Sequence, residues 1–398
     1  MPSKPAIILK SGRDKSARAK HPWIFSGAIE RVSDEIKSGD YGQVLDKQNN
    51  FVAWGFYNTD SQIAVRLCSW RAADCDPKQL IKKNLQKAWH QRVNLFDEQT
   101  DNCYRLVFAE SDHLPGLVVD RYADYLVLQV HSLGMQMMKD YIVDCLRDLM
   151  PQLEGVFEKS EPKYLSLEGY KGVSFGVLWG KEPPDLLTVL ENNHQYLVDI
   201  KNGQKTGLFL DQKSNRRYLA GFARGKRVLN CFSYTGGFGL EAALSGADQV
   251  LNIDSSDACL QIGQQQAELV AQNVDFLKAD VSKSLDLLAV ENKQFDLIIL
   301  DPPKYAESAK QIKRAARAYK DLNRRAMKLL PLGGYLATFS CSGAVDRKLF
   351  GQIVWSASLE AGADFAILEE LHQSADHPVL LSFPESRYLK GLFLQRVS

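Results

Sequence analysis

Hydrophobic and polar residues alternate in the first part of the chain, and turn-forming residues separate these short stretches. The segments with this pattern are GDYGQVLD, FVAWGFYN and QIAVRLCSW, with an Asn49-Asn50 turn between the first two. Alternation with a period of two is typical of strands that bury one face, and several short strands in succession indicate a small barrel. We therefore predict a β-barrel-like domain over residues 1–72.

Apolar residues at helical spacing appear next, between Pro77 and Val93. The segments YRLVFAE, GLVVDRY and YLVLQV are then predicted as strands, and residues 136–149 as a helix. This mixture predicts a second, α+β domain over residues 73–185. The Pro183-Pro184 pair marks its end, because consecutive prolines interrupt regular structure.

The rest of the chain, residues 186–398, alternates apolar strands with helices. The predicted strands are KRVLNCF, QVLNID, FLKAD, FDLIIL and YLATFS, and the predicted helices include residues 258–270, 309–330 and 346–361. This alternation predicts an α/β domain with a doubly wound parallel sheet that helices cover on both faces. HPVLLSF and YLKGLFLQRV are predicted as a hairpin at the sheet edge.

Composition limits the class of protein. Of the 398 residues, 45% are hydrophobic and 24% are charged, which is typical of globular domains and excludes a disordered chain. The longest apolar runs, such as residues 297–300, are far shorter than the ~20 residues that span a bilayer. The first residues lack the apolar core of a signal peptide. Seven scattered cysteines without a C-x-x-C pair predict reduced thiols in a cytoplasmic protein, with no disulfide framework and no metal site.

The net charge of +1 conceals an uneven distribution. Residues 1–72 hold 11 basic and 7 acidic residues, residues 73–185 hold 13 and 18, and residues 186–398 hold 25 and 23. Two basic clusters result. The N-terminal cluster contains Lys4, Lys10, Arg13, Lys15, Arg18 and Lys20, and the second contains Lys304, Lys310, Lys313, Arg314, Arg317, Lys320, Arg324, Arg325 and Lys328. Such clusters indicate either phosphate contacts or solvated helix faces, and the sequence leaves both interpretations open.

Polar residues follow the predicted parallel strands at their carboxyl ends, where such sheets bind ligands. A glycine turn over residues 233–239 follows KRVLNCF and would bring backbone amides close to a ligand. Asp254 follows the next strand, where it could accept hydrogen bonds from both ribose hydroxyls, and Asp280 is a candidate for an adenine amine. This set alone also fits a nicotinamide dinucleotide, because Gly237-x-Gly239-x-x-Ala242 matches the dinucleotide fingerprint.

The next strand end favours a different cofactor. FDLIIL is followed by Asp301-Pro302-Pro303-Lys304, whose prolines hold a rigid, extended turn with few backbone donors. An Asp/Asn-Pro-Pro turn at this strand is typical of adenosylmethionine-dependent methyltransferases, which use it to hold a planar base beside the reactive methyl group. A dehydrogenase has no use for this turn.

Cys341 follows the next strand, YLATFS, and small residues come after it. Carbon 5 of cytosine is a poor nucleophile, and a thiolate that adds to carbon 6 turns the ring into an enamine that can attack a methyl group. Asp301 could bond the ring nitrogen or the exocyclic amine of such an adduct. Cys231 is the competing thiol, but it lies inside a predicted strand and is expected to pack or to line the cofactor pocket.

These motifs together resemble the ribosomal RNA large subunit methyltransferase I family over the whole length of the chain. The residues that carry the resemblance are His21-Pro22-Trp23-Ile24-Phe25-Ser26-Gly27, Phe209-Leu210-Asp211-Gln212, residues 230–238, Asp301-Pro302-Pro303-Lys304, Thr338-Phe339-Ser340-Cys341-Ser342-Gly343 and Asp376-His377-Pro378. The resemblance implies an N-terminal PUA domain, a central α+β domain and a C-terminal Rossmann-like class I methyltransferase domain. It also implies formation of 5-methylcytosine in 23S ribosomal RNA, with Cys341 as nucleophile.

The same resemblance assigns the remaining site residues and partners. S-adenosyl-L-methionine is the implied cofactor, and its implied contacts are Phe232, Ser233, Tyr234, Thr235, Gly236, Gly237, Asp254, Asp280, Asp211, Gln212 and Asp301. The candidate RNA contacts come from the two basic clusters rather than from the resemblance, and they are Lys10, Arg13, Lys15, Lys304, Arg314 and Arg317. Family members suggest a homodimer. Because the target base must be flipped out of its stack, the RNA is expected to be naked or partly assembled.

Two departures from the family pattern limit these assignments. Lys213 stands where arginine is common, which puts a bidentate contact in doubt. The wider class of RNA cytosine methyltransferases often carries a further cysteine where Pro303 or Lys304 stands here, so the base that removes the carbon 5 proton is not identified.

Two other functions stay open at this point: methylation of a base nitrogen, and a non-catalytic role in RNA binding or ribosome assembly. Tyr319, on the helix of the second basic cluster, is a candidate for stacking on RNA. The aromatic residues Trp23, Phe25, Trp54, Phe56 and Tyr57 are expected in the barrel core. His377 could act in catalysis or make a structural hydrogen bond.

Overall fold

The computed structural model describes residues 5–398, so Lys4 of the N-terminal cluster lies outside the described part. The chain divides into two compact units. The first contains the described part of residues 1–194 with residues 198–210 and 375–386, and the second contains residues 195–197, 211–374 and 387–398. The finer division at residues 72 and 185 stays a prediction. No helix within residues 5–398 is long and apolar enough to cross a membrane.

The first unit begins with a six-stranded sheet in the order β2-β6-β5-β4-β1-β3. Its strands are β1 (Ala6–Leu9), β2 (Trp23–Ile24), β3 (Ile29–Val32), β4 (Tyr41–Leu45), β5 (Phe51–Tyr57) and β6 (Val65–Ser69), and helix α1 spans Lys15–Arg18. The three strands predicted from alternation are therefore confirmed. In β4, buried positions alternate with half-buried ones, as the sequence pattern indicates.

A five-stranded sheet in the order β11-β10-β9-β8-β7 follows in the same unit. Its strands are β7 (Cys103–Phe108), β8 (Leu117–Tyr122), β9 (Tyr125–Val130), β10 (Gly155–Lys159) and β11 (Phe175–Gly180), and its helices are α2 (Pro77–Val93), α3 (Leu133–Met137), α4 (Lys139–Leu149) and α5 (Pro162–Leu167). Helix α2 has the predicted bounds, and Asp76 caps its first turn. The predicted helix over residues 136–149 is interrupted at Met138, which separates α3 from α4. Strands β12 (Leu187–Glu191) and β13 (His194–Val198) form a separate pair.

A buried polar network includes the Asp376-His377 pair in this unit. Arg92 donates to both carboxylate oxygens of Asp112, at 2.8 and 2.7 Å, and to the backbone carbonyl of Asp376 at 3.0 Å. His377 is 2% exposed, and its Nδ1 lies 2.9 Å from Asp376 Oδ1. These contacts support a structural hydrogen bond rather than a catalytic role for His377, because its ring is buried and contacts the carboxylate of Asp376.

The second unit contains a seven-stranded sheet in the order β16-β15-β14-β17-β18-β20-β19. Its strands are β14 (Arg227–Cys231), β15 (Gln249–Asp254), β16 (Asp275–Lys278), β17 (Leu297–Leu300), β18 (Tyr335–Ser340), β19 (Phe365–Leu371) and β20 (Lys390–Arg396). The helices are α6 (Lys213–Ala220), α7 (Gly237–Leu244), α8 (Asp257–Leu269), α9 (Val281–Val290), α10 (Ile312–Met327) and α11 (Arg347–Ala361). The first five strands of the sheet order are parallel, which confirms the predicted doubly wound α/β fold.

The predicted C-terminal hairpin between HPVLLSF and YLKGLFLQRV is wrong, because the second segment pairs with other strands. Strand β20 is antiparallel to both β18 and β19, so its neighbours are Tyr335–Ser340 and Phe365–Leu371. HPVLLSF forms only an isolated bridge between Leu380 and Phe383. Prolines at 378 and 384 lack the N–H donors that a paired strand needs. Strand β19 escaped prediction because most of its residues are exposed and give no alternation.

Candidate active site

The carboxyl ends of β14, β15, β17 and β18 lie at one edge of the sheet of the second unit, because these strands are parallel and adjacent. Each end carries a sequence-predicted residue or turn. The glycine turn follows β14, Asp254 ends β15, Asp301 follows β17 and Cys341 follows β18. The structure thus brings the predicted cofactor and catalytic residues to one edge.

The turn after β14 has an unusual backbone. Phe232, Tyr234 and Gly236 have positive φ angles of 58°, 54° and 81°. A left-handed backbone conformation costs conformational energy at a non-glycine residue, so it persists only where the surrounding structure holds it. Such residues concentrate at functional sites. Asp254 fixes the turn, since its Oδ2 accepts a 2.9 Å hydrogen bond from the Tyr234 N–H.

Ser233 offers a polar group without a partner in this turn. Its Oγ is buried and makes no hydrogen bond within the described residues. A buried hydroxyl without a partner is destabilising, so the position is suited to a polar ligand that enters the turn. Gly236 cannot be enlarged easily, because a Cβ there would lie 2.9 Å from the Phe276 ring.

Asp301 lies in a cluster of polar side chains. Gln212 donates from Nε2 to Asp301 Oδ2 at 3.0 Å, and Asn215 holds Gln212 through a 2.6 Å hydrogen bond to its Oε1. Burial and the nearby Asp211 carboxylate raise the pKa of Asp301 to about 7. The carboxyl group is therefore able both to accept and to donate a hydrogen bond near neutral pH.

Asp211 accepts a 2.5 Å hydrogen bond from the hydroxyl of Tyr388. Its backbone carbonyl accepts from the Ser374 N–H at 2.9 Å. Asp211 and Gln212, which the resemblance assigns to the cofactor, thus lie beside the Asp301 carboxyl group. Their role in cofactor binding stays a prediction.

Cys341 is partly exposed, and with Tyr388 it packs against the hydrophobic cluster that contains Phe339 and Phe393. Burial raises the pKa of its thiol to about 11, and the carboxylates of Asp301 and Asp211 act in the same direction, while Lys390 lowers it. A thiolate here therefore needs positive charge nearby. The competing Cys231 is fully buried in β14, as expected of a packing residue, and burial raises the pKa of its thiol.

Asp280 is exposed and caps helix α9, where its Oδ1 accepts a 2.9 Å hydrogen bond from the Lys283 N–H. The structure thus places it two residues after the end of β16, at the same edge as the other strand ends. Its contact with an adenine amine stays a prediction.

The second basic cluster divides into paired and unpaired residues. Lys320 and Arg324 pair with Glu360, and Arg325 pairs with Asp321 and Asp286. Within the described residues, the exposed side chains without an ion pair include the candidate RNA contacts Lys304, Arg314 and Arg317.

The expectation that Tyr319 stacks on RNA is wrong, because its side chain is fully buried. Its hydroxyl lies 3.0 Å from the hydroxyl oxygens of both Ser340 and Ser342. Ser342 Oγ also accepts from the Tyr305 N–H at 3.1 Å. Tyr319 therefore joins the turn after β17 to the turn after β18.

In the first unit, the candidates Lys10, Arg13 and Lys15 are exposed. Lys10 Nζ donates to the Gly27 carbonyl at 3.0 Å, and Arg13 lines a pocket of about 290 Å³ with Trp23 and Phe25. Phe25 is 51% exposed, so its predicted place in the barrel core is wrong. The prediction that the aromatic residues of this domain are buried is confirmed for Trp54 and Phe56.

Family models match the chain in two places. A PUA-like domain matches residues 7–70, and an S-adenosylmethionine-dependent methyltransferase matches residues 136–373. A relative from Aeromonas hydrophila subsp. hydrophila, named ribosomal RNA large subunit methyltransferase I, is 43% identical over 98% of this chain and 99% of its own length. The chain belongs to this family. A second member, from Yersinia pseudotuberculosis, is 39% identical over 97% of this chain and 98% of its own length.

Two solved structures share the fold over most of the described residues. One is described as a methyltransferase complexed with S-adenosylhomocysteine, with a TM-score of 0.85 over 98% of this chain and 99% of its own. The other, described as an adenosylmethionine-dependent methyltransferase from Streptococcus mutans, has a TM-score of 0.83 over the same shares. Each is 21% identical to this chain, so the similarity concerns the fold.

S-adenosylmethionine is the cofactor of this methyltransferase, and the residues of the glycine turn fit it. The unpartnered Ser233 hydroxyl lies in a turn with left-handed backbone, and Asp254 has carboxylate oxygens next to it. Ribose hydroxyls and the amino acid portion of the cofactor supply hydrogen-bonding groups of the kind that such a turn binds.

Sequence reasoning missed Tyr388 and Lys390, which lie beside the predicted residues. Lys390 was assigned only to a strand, although a lysine in the otherwise apolar YLKGLFL is an available signal. Its relation to Cys341 depends on the pairing of β20 with β18, which periodicity does not reveal.

Proposed function

We propose that this protein transfers a methyl group to carbon 5 of a cytosine in large-subunit ribosomal RNA. The observation that carries the proposal is the pair of Asp301 and Cys341 at the ends of adjacent parallel strands, at the same sheet edge as the glycine turn. The curated relatives are named for ribosomal RNA of the large subunit, which supports the substrate class.

The thiolate of Cys341 is the proposed nucleophile. Its electron pair forms a bond to carbon 6 of the cytosine, and the ring becomes an enamine with electron density at carbon 5. Carbon 5 would then take the methyl group that bound S-adenosylmethionine would supply as an electrophile, and S-adenosylhomocysteine would leave with the electron pair of the broken sulfur–methyl bond. A base removes the proton from carbon 5, the sulfur–carbon bond breaks, and the thiolate leaves with its electron pair.

Asp301 is the proposed partner of the cytosine ring. A carboxyl group with a pKa near 7 is partly protonated at neutral pH and is able to donate to the ring nitrogen. A proton held at that nitrogen withdraws electrons from carbon 6 and favours thiolate addition. The Gln212 amide holds the other carboxyl oxygen and thereby orients Asp301.

The exposed basic residues are the proposed RNA contacts. Lys304, Arg314 and Arg317 have no carboxylate partner within the described residues, so their charges are available to phosphates. In the first unit, Arg13 and the exposed ring of Phe25 line one pocket, which supports a contact that combines charge with stacking. We expect naked or partly assembled RNA as substrate, because the target base must leave its stack.

The reaction is tested with RNA whose cytosines carry tritium at carbon 5. We expect tritium release that requires S-adenosylmethionine, because carbon 5 must lose its hydrogen when it gains the methyl group. Cys341→Ala should abolish release and retain S-adenosylhomocysteine binding. Cys75→Ala, which changes an exposed cysteine of the first unit, should leave release unchanged.

Three outcomes would contradict the proposal. Methylated RNA that retains its tritium would indicate methylation at a nitrogen, which the Asp301-Pro-Pro turn also suits. RNA binding without methyl transfer would indicate a non-catalytic protein. Full activity in Cys341→Ala would exclude this thiol as the nucleophile.

A further inference from the structure

Lys390 is the first residue of β20, inside the sheet between β18 and β19. In the antiparallel register its partner is Ser340, the last residue of β18. The side chain is 6% exposed, and its Nζ donates to the Ser342 carbonyl at 2.7 Å. A buried ammonium group thus contacts the backbone next to Cys341.

This ammonium group has few partners. Within the described residues it makes a single hydrogen bond, although it has three donors, and no carboxylate lies within ion-pair distance. Burying an unpaired charge is costly, and burial accordingly lowers the pKa of Lys390 to about 8. Such a lysine is expected where a neighbouring group becomes an anion during function.

The charged groups around Cys341 indicate that its thiol is the neighbouring group that becomes an anion. The carboxylates of Asp301 and Asp211 oppose ionisation of Cys341, whereas Lys390 favours it. Lys390 in turn is influenced by Cys341, by Asp346 before α11 and by Lys304 after β17. The hydroxyls that face these groups are already engaged, Tyr388 with Asp211 and Tyr319 with Ser340 and Ser342.

We propose that Lys390 is a positioning residue that holds a positive charge against the Cys341 thiolate, both when the sulfur attacks the cytosine and when it leaves. The inference rests on the proposed function of Cys341. The thiol proton passes to solvent before attack, the sulfur electron pair forms the bond to carbon 6, and the same pair returns to the sulfur on elimination. At both stages the ammonium group offsets the negative charge near the two aspartates.

The test measures alkylation of Cys341 by iodoacetamide in the RNA-free protein, with mass spectrometry of the Cys341 peptide between about pH 7 and 9. Lys390→Gln retains a donor for the Ser342 carbonyl but removes the charge, so the rate near pH 8 should fall at least about fivefold. Lys390→Arg retains the charge, so its rate should stay within about twofold of the parent. The exposed Lys348→Gln makes the same charge change on α11 and should have no effect.

An unchanged rate in Lys390→Gln would overturn the inference. An equal loss in the Gln and Arg variants would also overturn it, because the shape of the side chain or its hydrogen bond would then matter rather than its charge. Binding of S-adenosylhomocysteine verifies that each variant is folded. Lys390→Met provides a second neutral variant, and we expect it to fold because it removes an unpaired buried charge.

The failure of this inference is distinguishable from failure of the proposed function. Alkylation requires neither RNA nor methyl transfer, so it reports only on the thiol and its surroundings. Tritium release that persists in Cys341→Ala would refute the proposed reaction, whatever the alkylation rates show. Tritium release that requires Cys341, with an alkylation rate independent of Lys390, would refute only the role of the lysine.

Discussion

Two aspartates flank β17, and their surroundings shift their pKa values in opposite directions. Asp296, before the strand, accepts from the Arg227 guanidinium at 3.0 Å, and this hydrogen bond lowers its pKa. Asp301, after the strand, is buried near Asp211, and its pKa is raised to about 7. The first residue stabilises the sheet as an anion, whereas the second is held in a site that disfavours its charge.

We predict that Asp301→Asn raises the thermal stability of the cofactor-free protein at neutral pH and reduces methyl transfer. A raised folded-state pKa means that the parent loses stability as the pH rises from about 4, where the unfolded carboxyl ionises, to about 7. The difference in Tm between variant and parent should therefore grow over that window and then level off.

Asp296→Asn is the matched control on the same strand. Its lowered pKa gives stability that is present above the unfolded value of 3.8 and is lost as the pH falls through the folded value. This variant should be less stable than the parent at neutral pH, and the deficit should shrink in acid. If the Tm difference for Asp301→Asn does not vary with pH, ionisation of the Asp301 carboxyl group does not destabilise the folded protein, and the prediction is wrong.

At the scale of single residues, the sequence located Cys341 and Asp301 correctly at adjacent strand ends, because a residue type after an apolar strand is a local signal. Phe25 and Tyr319 were misassigned, since an aromatic residue has no sequence feature that separates a buried ring from an exposed one. Tyr388 and Lys390 were missed because they reach the site through β20, whose neighbours are distant in sequence.

At the scale of elements, helix α7 packs closely on β15. Gly239 makes this approach feasible, because a Cβ at this position would lie 2.3 Å from Asn252 Oδ1. Asn252 is fully buried, and its Oδ1 already accepts a 2.8 Å hydrogen bond from Asn230. The side chain therefore has little freedom to move, and the position of the glycine turn before α7 depends on this contact.

We predict that Gly239→Ala destabilises the protein by about 1–3 kcal/mol, the usual cost of overpacking, and weakens S-adenosylhomocysteine binding. Gly351→Ala on α11 makes the same change in open space and should stabilise by about 0.5–1 kcal/mol through helix propensity. Denaturant unfolding and calorimetric titration with S-adenosylhomocysteine measure both effects. Equal changes in unfolding free energy and in S-adenosylhomocysteine binding in the two variants would show that the close contact of α7 with β15 does not exclude a side chain at residue 239.

Elements with strong periodicity were predicted well, and those whose pattern depends on distant partners were not. Helix α2 and the parallel strands β14, β15, β17 and β18 were found from their own residues. The predicted partner of β20 was wrong for two reasons. Strand β19 is mostly exposed, so its sequence shows no alternation, and the pairing of strands depends on residues that are distant in the chain.

At the scale of the whole molecule, a near-neutral chain carries localised positive charge. The carboxylates around α10 neutralise Lys320, Arg324 and Arg325 but leave Arg314 and Arg317 without an ion pair. A net charge near zero thus conceals which surface is available to a polyanion. We infer that RNA binding depends on a few positions rather than on total charge.

We predict that Arg314→Gln with Arg317→Gln raises the RNA dissociation constant and flattens its dependence on salt. Two lost phosphate contacts should reduce the slope of log K against log salt by about 1.4, at about 0.7 for each contact with single-stranded RNA. Lys320→Gln with Arg324→Gln removes the same charge from the same helix, but these residues already have carboxylate partners. Equal slopes in the two double variants would show that the helix acts only through its overall charge.

The position of β20 has a consequence for assembly of the protein. This strand enters the sheet between β18 and β19, which both precede it in the chain. A folding intermediate without β20 would expose two unpaired strand edges, which are sites of aggregation. The same intermediate would lack the ammonium group of Lys390 beside Cys341. The charge that we propose for Cys341 therefore reaches the thiol only when β20 completes the sheet, so folding of the last strand and assembly of the nucleophile site are one event.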